Sequence, residues 1–578
     1  MISPSKLLNF RPRRVESRGR ARVAVPTGIE TTDALFVLLR RMRAPLIVVI
    51  VGFSVSTAGM MAMPGVDAAG NPYRLTLFDA FYQMTITLTT VGYTEAPHAF
   101  SYPQRMWLTL SIFILVISWA YTIGALLAAL GDNAFRESLA RQRFRRRVAR
   151  IREPFLLMLG YGTAGRTVSL GLDEQRRRFV VVDRQKHQID AASIDAHTSD
   201  VAALEGDCVN PAVLGMAGLG KDNCRGVLAL TDDDEANLAV VMSVSLLRPD
   251  LPVYACCQAR DVQYRMEDFS PAAVINPNDR YGGYLALVLL RPITHQLLTW
   301  LMDNDENRLP ELRTGLAHGR WVVCGDGEFA EQVTADLTEL GLDVHRLMPT
   351  LGPLDLHETV GFVAGTDNDM TNIALAEHAR LANPEVFVSI RQRDSMHQSL
   401  LDALDVDSVF VWTDLVAREV LARVVHPNFW RFVEEAVQQG DEWAEQTRDR
   451  LVRRCGKKVP ERAAVVLSPE EAPAVARWLA DGNTLTVGQL TRHPDDRRRP
   501  LSLLMLMVVR GDQLILTPDD DTELQIGDHL LLAGTDDGLA DLSDALFYSA
   551  TIEYLATGRE VATTWVWRML TERRRARR

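Results

Sequence analysis

The chain has 578 residues, with 63 Lys and Arg against 74 Asp and Glu, a formal net charge of −11. That length leaves room for several domains, and the negative balance argues against nucleic acid as the partner of the whole chain. Mean hydropathy is near zero, yet the runs Ala44 to Val66 and Met106 to Gly131 carry no charge at all, so a small membrane part must carry a large aqueous one.

Residues 1–43 hold ten Lys and Arg and three acids, with Arg40, Arg41 and Arg43 directly before the first apolar run. Cations beside a span read as cytoplasmic and suit anionic lipid; a basic arm with no specific ligand is the plainer reading of residues 1–28. The first apolar run starts too late and is too long for a signal peptide core. From Pro64 to Arg105 there are three acids and two Arg, while Asp132 to Glu153 has eight Arg against three acids. Both ends of the membrane unit are therefore expected in the cytoplasm, which requires an even number of spans. Ser118, Gly124 and Gly131 are small residues suited to close helix packing, and Gly124 could also serve as a hinge. All six Cys follow the second run, without paired zinc-ligand spacing, as reduced thiols in a reducing compartment would.

Between the two runs lies Thr85-Ile-Thr-Leu-Thr-Thr-Val-Gly-Tyr-Thr-Glu95, preceded by the short amphipathic stretch Leu75 to Ile86. A polar loop between two spans of that length reads as re-entrant, and the stretch before it as a pore helix with its C-terminal end toward a cation. Thr87-x-x-Thr90-Val-Gly92-Tyr93 resembles the selectivity-filter signature of potassium channels. The resemblance implies a homotetramer in which backbone carbonyls replace the hydration shell of K⁺. Thr90, Val91, Gly92, Tyr93 and Thr94 would form the filter, with the Thr90 hydroxyl also facing the ion. Where that family usually has a second Gly after the Tyr, this chain has Thr94. A β-branched residue with positive φ costs on the order of 1–3 kcal/mol, so strain there could weaken selectivity.

Pro154 to Arg166 is a buried-strand pattern running into Gly160-x-Gly162-x-x-Gly165, followed by a helix-compatible segment and Phe179-Val-Val-Val-Asp183. Strand, Gly turn, helix and an acid about 20 residues on form the dinucleotide fingerprint. Asp183 can accept from ribose hydroxyls and would repel a 2′-phosphate, which favours NAD(H) or an adenine nucleotide over an NADP-like ligand. Gly206-Asp207 and Val227 to Asn237 continue the alternation of strand, turn and helix. The set resembles the RCK domain (regulator of K⁺ conductance), also seen in Trk-type uptake subunits. The resemblance brings Asp207 and Thr231 to the nucleotide beside Gly160, Gly162, Gly165 and Asp183. The run Asp232 to Glu235 reads as a helix cap and first turn rather than a metal site.

Arg320 to Ala330 repeats the Gly loop as Gly325-x-Gly327-x-x-Ala330, and Gly365 to Asn372 repeats Thr231 to Asn237, a tandem repeat of about 165–170 residues. Asp326 and Glu328 oppose a pyrophosphate, and Val344-His-Arg346 ends without an acid. This copy is expected to bind a dinucleotide weakly or not at all and to build an interface; His345 reads as a surface residue. Asp495 to Pro500 reads as a linker. Leu501 to Leu516 gives two strands about a Gly-Asp turn, and Pro518 to Ala533 adds a further strand, resembling the β-rich module that accompanies RCK domains. Asp519, Asp520, Asp521 and Glu523 could hold Ca²⁺, with a solvated acidic turn as the plainer account.

The expected fold is an α-helical two-span pore module with a re-entrant pore loop, plus two tandem α/β Rossmann-like RCK domains and a small β-rich C-terminal module. The divisions are a basic arm 1–43, the pore domain 44–131 with its filter at 87–95, and a helical linker 132–152. They continue with RCK copies at 153–318 and 319–440, a connector 441–500, the C-terminal module 501–545 and a tail 546–578. The expected function is a nucleotide-regulated potassium channel of a bacterial inner membrane, multi-pass, with both termini cytoplasmic and eight RCK copies in a ring. A weakly selective cation channel and a non-conducting membrane-anchored nucleotide sensor are the alternatives. The Gly loop has no catalytic His or Lys constellation beside it, so an enzyme is not expected.

Overall fold

The computed structural model describes residues 24–26, 34–67, 70–91, 95, 97–131, 133–302, 309, 312, 315–316, 318–349, 355–393, 398–404 and 406–559. Helices α1 (Ala34–Ala62) and α3 (Tyr102–Gly131) pack side by side. Within them, Met42–Ala62 and Tyr102–Ala129 are long and apolar enough to cross a membrane. Ile50, Ile117 and Leu127 are 62%, 66% and 64% exposed; a helix in a soluble core would bury such residues, and hydrocarbon is the medium that suits them. Where the two helices meet, a Cβ on Gly59 would overlap the Trp107 ring, whose Nε1 donates to the Ser56 carbonyl at 2.9 Å. Small residues thus let the helices approach. Ser118 takes part, lying against Gly52, whereas Gly124 and Gly131 face open space.

A strand pair, β1 (Gly65–Val66) and β2 (Pro72–Tyr73), leads to helix α2 (Leu77–Leu88). Thr76 starts α2 with a capping box: its hydroxyl accepts from the Asp79 N–H, and the Asp79 carboxylate accepts from the Thr76 N–H, pairing two otherwise open donors. Helix α4 (Asn133–Arg150) follows α3 and buries Phe144 and Val148 in the core of the next domain. Its C-terminal carbonyls are capped from that domain. Lys221 Nζ donates to the carbonyls of Val148, Ala149 and Ile151 at 2.8, 3.3 and 2.7 Å, satisfying acceptors that a helix end leaves open.

The first copy alternates β3 (Phe155–Leu159), α5 (Thr163–Glu174), β4 (Arg178–Asp183), α6 (Lys186–Ile194), β5 (Ala202–Glu205), α7 (Pro211–Met216), β6 (Cys224–Ala229), α8 (Asp234–Leu247), β7 (Val253–Cys256), α9 (Arg260–Glu267) and β8 (Ala273–Ile275). Its six strands are parallel in the order β5-β4-β3-β6-β7-β8. Helices α10 (Pro277–Leu290) and α11 (Pro292–Met302) lead to the second copy. There β9 (Arg320–Cys324), α12 (Glu328–Glu339), β10 (Asp343–Leu347), β11 (Thr359–Ala364), α13 (Asp369–Ala382), β12 (Phe387–Gln392), α14 (Gln398–Ala403) and β13 (Ser408–Val411) give a five-stranded sheet in the order β10-β9-β11-β12-β13 among the described residues. Among the described residues that sheet has no counterpart of β5. The repeat is therefore uneven: Gly325 follows Gly160 by 165 positions, but Thr366 follows Thr231 by 135.

The copies exchange helices. Helix α10 packs on α12, and helix α15 (Trp412–Val425) packs on α5, with Gly282 beneath Asp336 and Gly171 beneath Leu421. A buried charge network ties the exchange. Arg280 Nε donates to Glu419 Oε2 at 3.0 Å, and Arg423 lies 2.9 Å from Glu419 and 3.3 Å from the Glu434 carboxylate. Burial pushes Glu434 up to about 7; burial also opposes charge on Glu419, but Arg280 and Arg423 hold that carboxyl below its ordinary value.

Helices α16 (Pro427–Gln439) and α17 (Asp441–Cys455) share a core with α11 and with a four-stranded antiparallel sheet. The sheet takes a strand, Glu461–Val466, from within the expected connector, because that strand pairs with His529–Gly534. Leu503–Arg510 and Gln513–Leu516 form a hairpin across Gly511-Asp512. Asp496–Pro500 is not a linker: it pairs with Arg492–His493, about the turn at Pro494-Asp495. Among the described residues no group of three or more His, Cys, Asp or Glu could hold a metal ion; Asp519, Asp520, Asp521 and Glu523, which could have held Ca²⁺, form no such group.

Asp336 gives a pH test of the helix exchange. Burial raises its carboxyl to about 6, and nearby Asp279 adds to that. Folding thus favours the neutral acid: the contribution is complete below the unfolded value near 4 and is lost as pH rises through 6. The stability of the Asp336→Asn protein relative to the parent, from chemical denaturation, should rise by about 2 kcal/mol between pH 4.5 and pH 8.

Candidate functional site

Two sites matter, the loop after α2 and the cleft at the carboxyl ends of β3 to β6. Helix α2 ends in a Schellman closure: the Thr90 N–H donates to the Thr87 carbonyl at 3.1 Å and the Val91 N–H to the Ile86 carbonyl at 3.0 Å. That closure puts Thr90 at φ +56°, a left-handed position where Gly is usual and a β-branched residue costs on the order of 1–3 kcal/mol. The strain expected at Thr94 concerns a residue that, with Gly92 and Tyr93, lies outside the described residues; the left-handed step at Thr90 is a separate finding. The Thr90 hydroxyl donates to the Thr89 carbonyl at 2.7 Å, and Val91 is exposed within the single chain. The far side of the loop is pinned by a residue that sequence reasoning left without a role. Glu95 accepts from Arg105 Nε at 2.9 Å, from its Nη2 at 3.1 Å, and from the Phe100 N–H at 2.8 Å. The bonds from Arg105 hold the Glu95 carboxyl below the usual range. The loop is thus tied at one end to α2 and at the other to the start of α3.

In the cleft, Gly160 has φ +100°, and a Cβ there would stand 2.6 Å from the Leu230 carbonyl oxygen; only Gly fits both demands. A Cβ on Gly165 would overlap the Gly160 carbonyl, so α5 can approach β3 only through Gly. Gly162 caps α5 without a side-chain bond, leaving the N-terminal amides of that helix for an anion. Asp183 at the end of β4 accepts from the Tyr161 N–H through Oδ2 and from the Gln185 N–H through Oδ1, both at 2.7 Å. Asp207 follows Gly206, whose N–H donates to the Asp183 carbonyl at 2.9 Å. Gly160, Gly162, Gly165, Asp183, Asp207 and Thr231 therefore come together at one end of the sheet.

Thr231 has a different immediate task. Its N–H and hydroxyl both donate to Asn237 Oδ1, at 3.1 and 2.8 Å, and Asn237 Nδ2 donates to the carbonyls of Thr231 and Cys256. The fully buried Asn237 locks the β6–α8 turn. Thr366 and Asn372 repeat this lock bond for bond, and the recurrence of Thr and Asn at matched spacing was the signal that could have found it. The acidic run divides its work. Asp233 caps α8, Asp234 accepts from the Gln258 and Ala259 N–H groups, and Glu235 pairs with Arg265. Asp232, which sequence reasoning did not place in the cleft, lies against Gly162; burial and then Asp183 push its carboxyl up.

The second cleft is filled by its own side chains. Arg391 pairs with Asp367 and lies over the Phe329 ring, 5.0 Å from its centroid, and Arg346 Nε donates to the Gly325 carbonyl at 3.1 Å. Gly325 N–H donates to the Leu347 carbonyl as Gly160 N–H does to that of Val182, so Met348 stands where the first copy has Asp183. His345 is exposed.

Residues 156–277 match the TrkA-N domain family. Potassium channel protein 1 of Methanocaldococcus jannaschii is 22% identical over 263 residues, 45% of this chain and 74% of that protein. The voltage-gated potassium channel Kch of Escherichia coli is 25% identical over 249 residues, 41% of this chain and 57% of that protein. Among solved structures, a GsuK channel bound to NAD aligns at 14% identity and a TM-score of 0.40, covering 89% of this chain and 99% of that chain.

The lock at Asn237 can be tested alone. Asn237→Leu leaves the Cys256 carbonyl and the Thr231 N–H without their Asn237 partner, and should cost about 3 kcal/mol in chemical denaturation of the protein.

Proposed function

This chain is a relative of potassium channel proteins and carries an RCK-type TrkA-N domain; from that premise we propose that it is a potassium channel whose pore is controlled by a nucleotide bound to the first RCK copy. The observation that carries the proposal is the order of parts. Two membrane-length helices bracket a short helix whose C-terminal end meets Thr90-Val-Gly-Tyr93, and α4 runs from the second of them into the first RCK core. One filter sequence per chain calls for four chains about an axis, with the carbonyls of residues 90–94 turned to the ion. Two RCK copies per chain then make a ring of eight on the cytoplasmic side, where both termini lie.

At the cleft, the α5 amides meet phosphate and Asp183 meets ribose hydroxyls. The carboxylate would repel a 2′-phosphate, so NAD(H) or another adenine nucleotide without one is the ligand class. The second cleft, with Arg391 and Arg346 inside and no acid at Met348, builds the interface instead. A ligand that prefers one shape of the ring shifts the pore by that difference in affinity, and α4, capped by Lys221, passes the shift to α3. Weak cation selectivity is the second reading, favoured by Thr94 where the family has Gly.

Purified protein in planar bilayers should pass potassium current and change open probability with NAD(H) or adenine nucleotides; no current at all would leave a nucleotide sensor that conducts nothing. In mixed sodium and potassium, Thr94→Gly should move the reversal potential toward that of potassium if the side chain relaxes selectivity. Asp183→Ala should weaken NAD(H) binding roughly ten- to hundredfold in calorimetry, through loss of charge-assisted hydrogen bonds worth on the order of 1.5–3 kcal/mol, and narrow the preference over NADP(H).

A further inference from the structure

We propose that Ala24-Val25-Pro26 is a docked strap by which the first RCK copy also holds the first span, so that one shoulder of that copy grips the cytoplasmic ends of both membrane helices. The inference rests on the function proposed above and adds its route. The shoulder runs from α7 to Lys221. On it, a Cβ at Gly215 would overlap the Pro26 carbonyl, and Val25 Cβ lies 3.5 Å from where a Cβ on Gly220 would be. Val25 itself is half-buried against the core that holds Phe144, Val148 and Leu219. One residue beyond Gly220, Lys221 caps the end of α4. The strap and the linker helix are therefore seated on the same turn.

Two features make this more than adjacency. Residues 27–33 are all that separates Pro26 from the start of α1 at Ala34, which limits the distance between strap and span to at most about 29 Å. The shoulder also begins at the nucleotide cleft. Asp207 accepts from the Val209 N–H through its side chain at 3.0 Å and from the Asn210 N–H through its carbonyl at 3.2 Å, and Asn210 caps α7. A ligand that moves Asp207 moves α7, and α7 bears on α1 through the strap and on α3 through α4.

Gly215 is the point of test. Its φ is not positive, so Gly215→Ala adds no backbone strain and only displaces Pro26. The experiment uses the full chain in bilayers. In a Val25→Cys, Gly220→Cys double variant, a mild oxidant should form the 25–220 disulfide, since disulfides need Cβ atoms about 3.5–4.5 Å apart, and mass spectrometry should find the cross-linked peptide. Oxidised, this variant should keep the NAD(H)-evoked change in open probability. Gly215→Ala should reduce that change about fivefold, within the range for residues that carry coupling, with NAD(H) affinity unchanged. Failure of the cross-link to form would show that the strap does not dock. An unaltered NAD(H) response in Gly215→Ala would show that the strap transmits nothing. A parent protein indifferent to NAD(H) would defeat the proposed function and the coupling with it, while the cross-link would still report on docking separately.

Discussion

A peptide carbonyl left without a partner in hydrocarbon costs several kcal/mol, and in the proposed channel the segment after α2 is where the chain has to meet that demand. Both flanks of the segment are anchored. The Schellman closure at Thr90 satisfies the Ile86 and Thr87 carbonyls at the end of α2 and takes the chain out of the helix by a left-handed step. The Glu95 carboxylate, bonded twice by Arg105 and once by the Phe100 amide, fixes its return. A non-helical backbone at membrane depth is tolerated where it lines a path for water or ions or is buried in protein. The proposed channel satisfies that condition by assembling several chains, and the exposed apolar faces of α1 and α3 are then left for lipid and neighbouring copies.

The aqueous part carries one unit twice, and the copies differ at the cleft. Both copies keep the Gly turn and the Thr–Asn lock, because these hold strand, turn and helix together whatever is bound. They differ where a ligand would sit. The first cleft has Asp183, Asp207 and the open amides of α5. The second has Met348 at the equivalent of Asp183, no strand to carry an equivalent of Asp207 among its described residues, and Arg391 folded onto Asp367 and Phe329. The exchange of α10 and α15 joins the two copies through a buried network of Arg280, Glu419, Arg423 and Glu434. Breaking such a network from one side typically costs about 3–5 kcal/mol, which ties the two copies to one another.

Much of this was legible in the sequence because it rests on local patterns. Charge-free runs of membrane length, a Gly loop between strand and helix, and an acid about 20 residues on are each confined to a few tens of residues. What was not legible depends on partners far apart in the chain. Nothing near Arg280 points to Glu419, nothing near Lys221 points to the end of α4, and Val25 reads as part of a basic arm until its neighbours are seen. The left-handed turn at Thr90 was not foreseen, because the way α2 ends is set by hydrogen bonds back to Ile86 and Thr87 that residue types alone do not reveal. The stretch from Asp495 to Pro500 misled for a related reason. Charge and a terminal Pro suggest a linker, yet pairing with Arg492–His493 makes it half of a hairpin.

The central claim is that backbone oxygens of residues 90–94, contributed by four copies, surround a passing potassium ion. Locating rubidium or thallium ions by anomalous scattering in crystals of the assembled protein tests it directly. The account predicts heavy-ion peaks in a row on a fourfold axis, within coordinating distance of those carbonyls. An assembly without that axis, or carbonyls at 90–94 turned into protein with no ion between them, would contradict it.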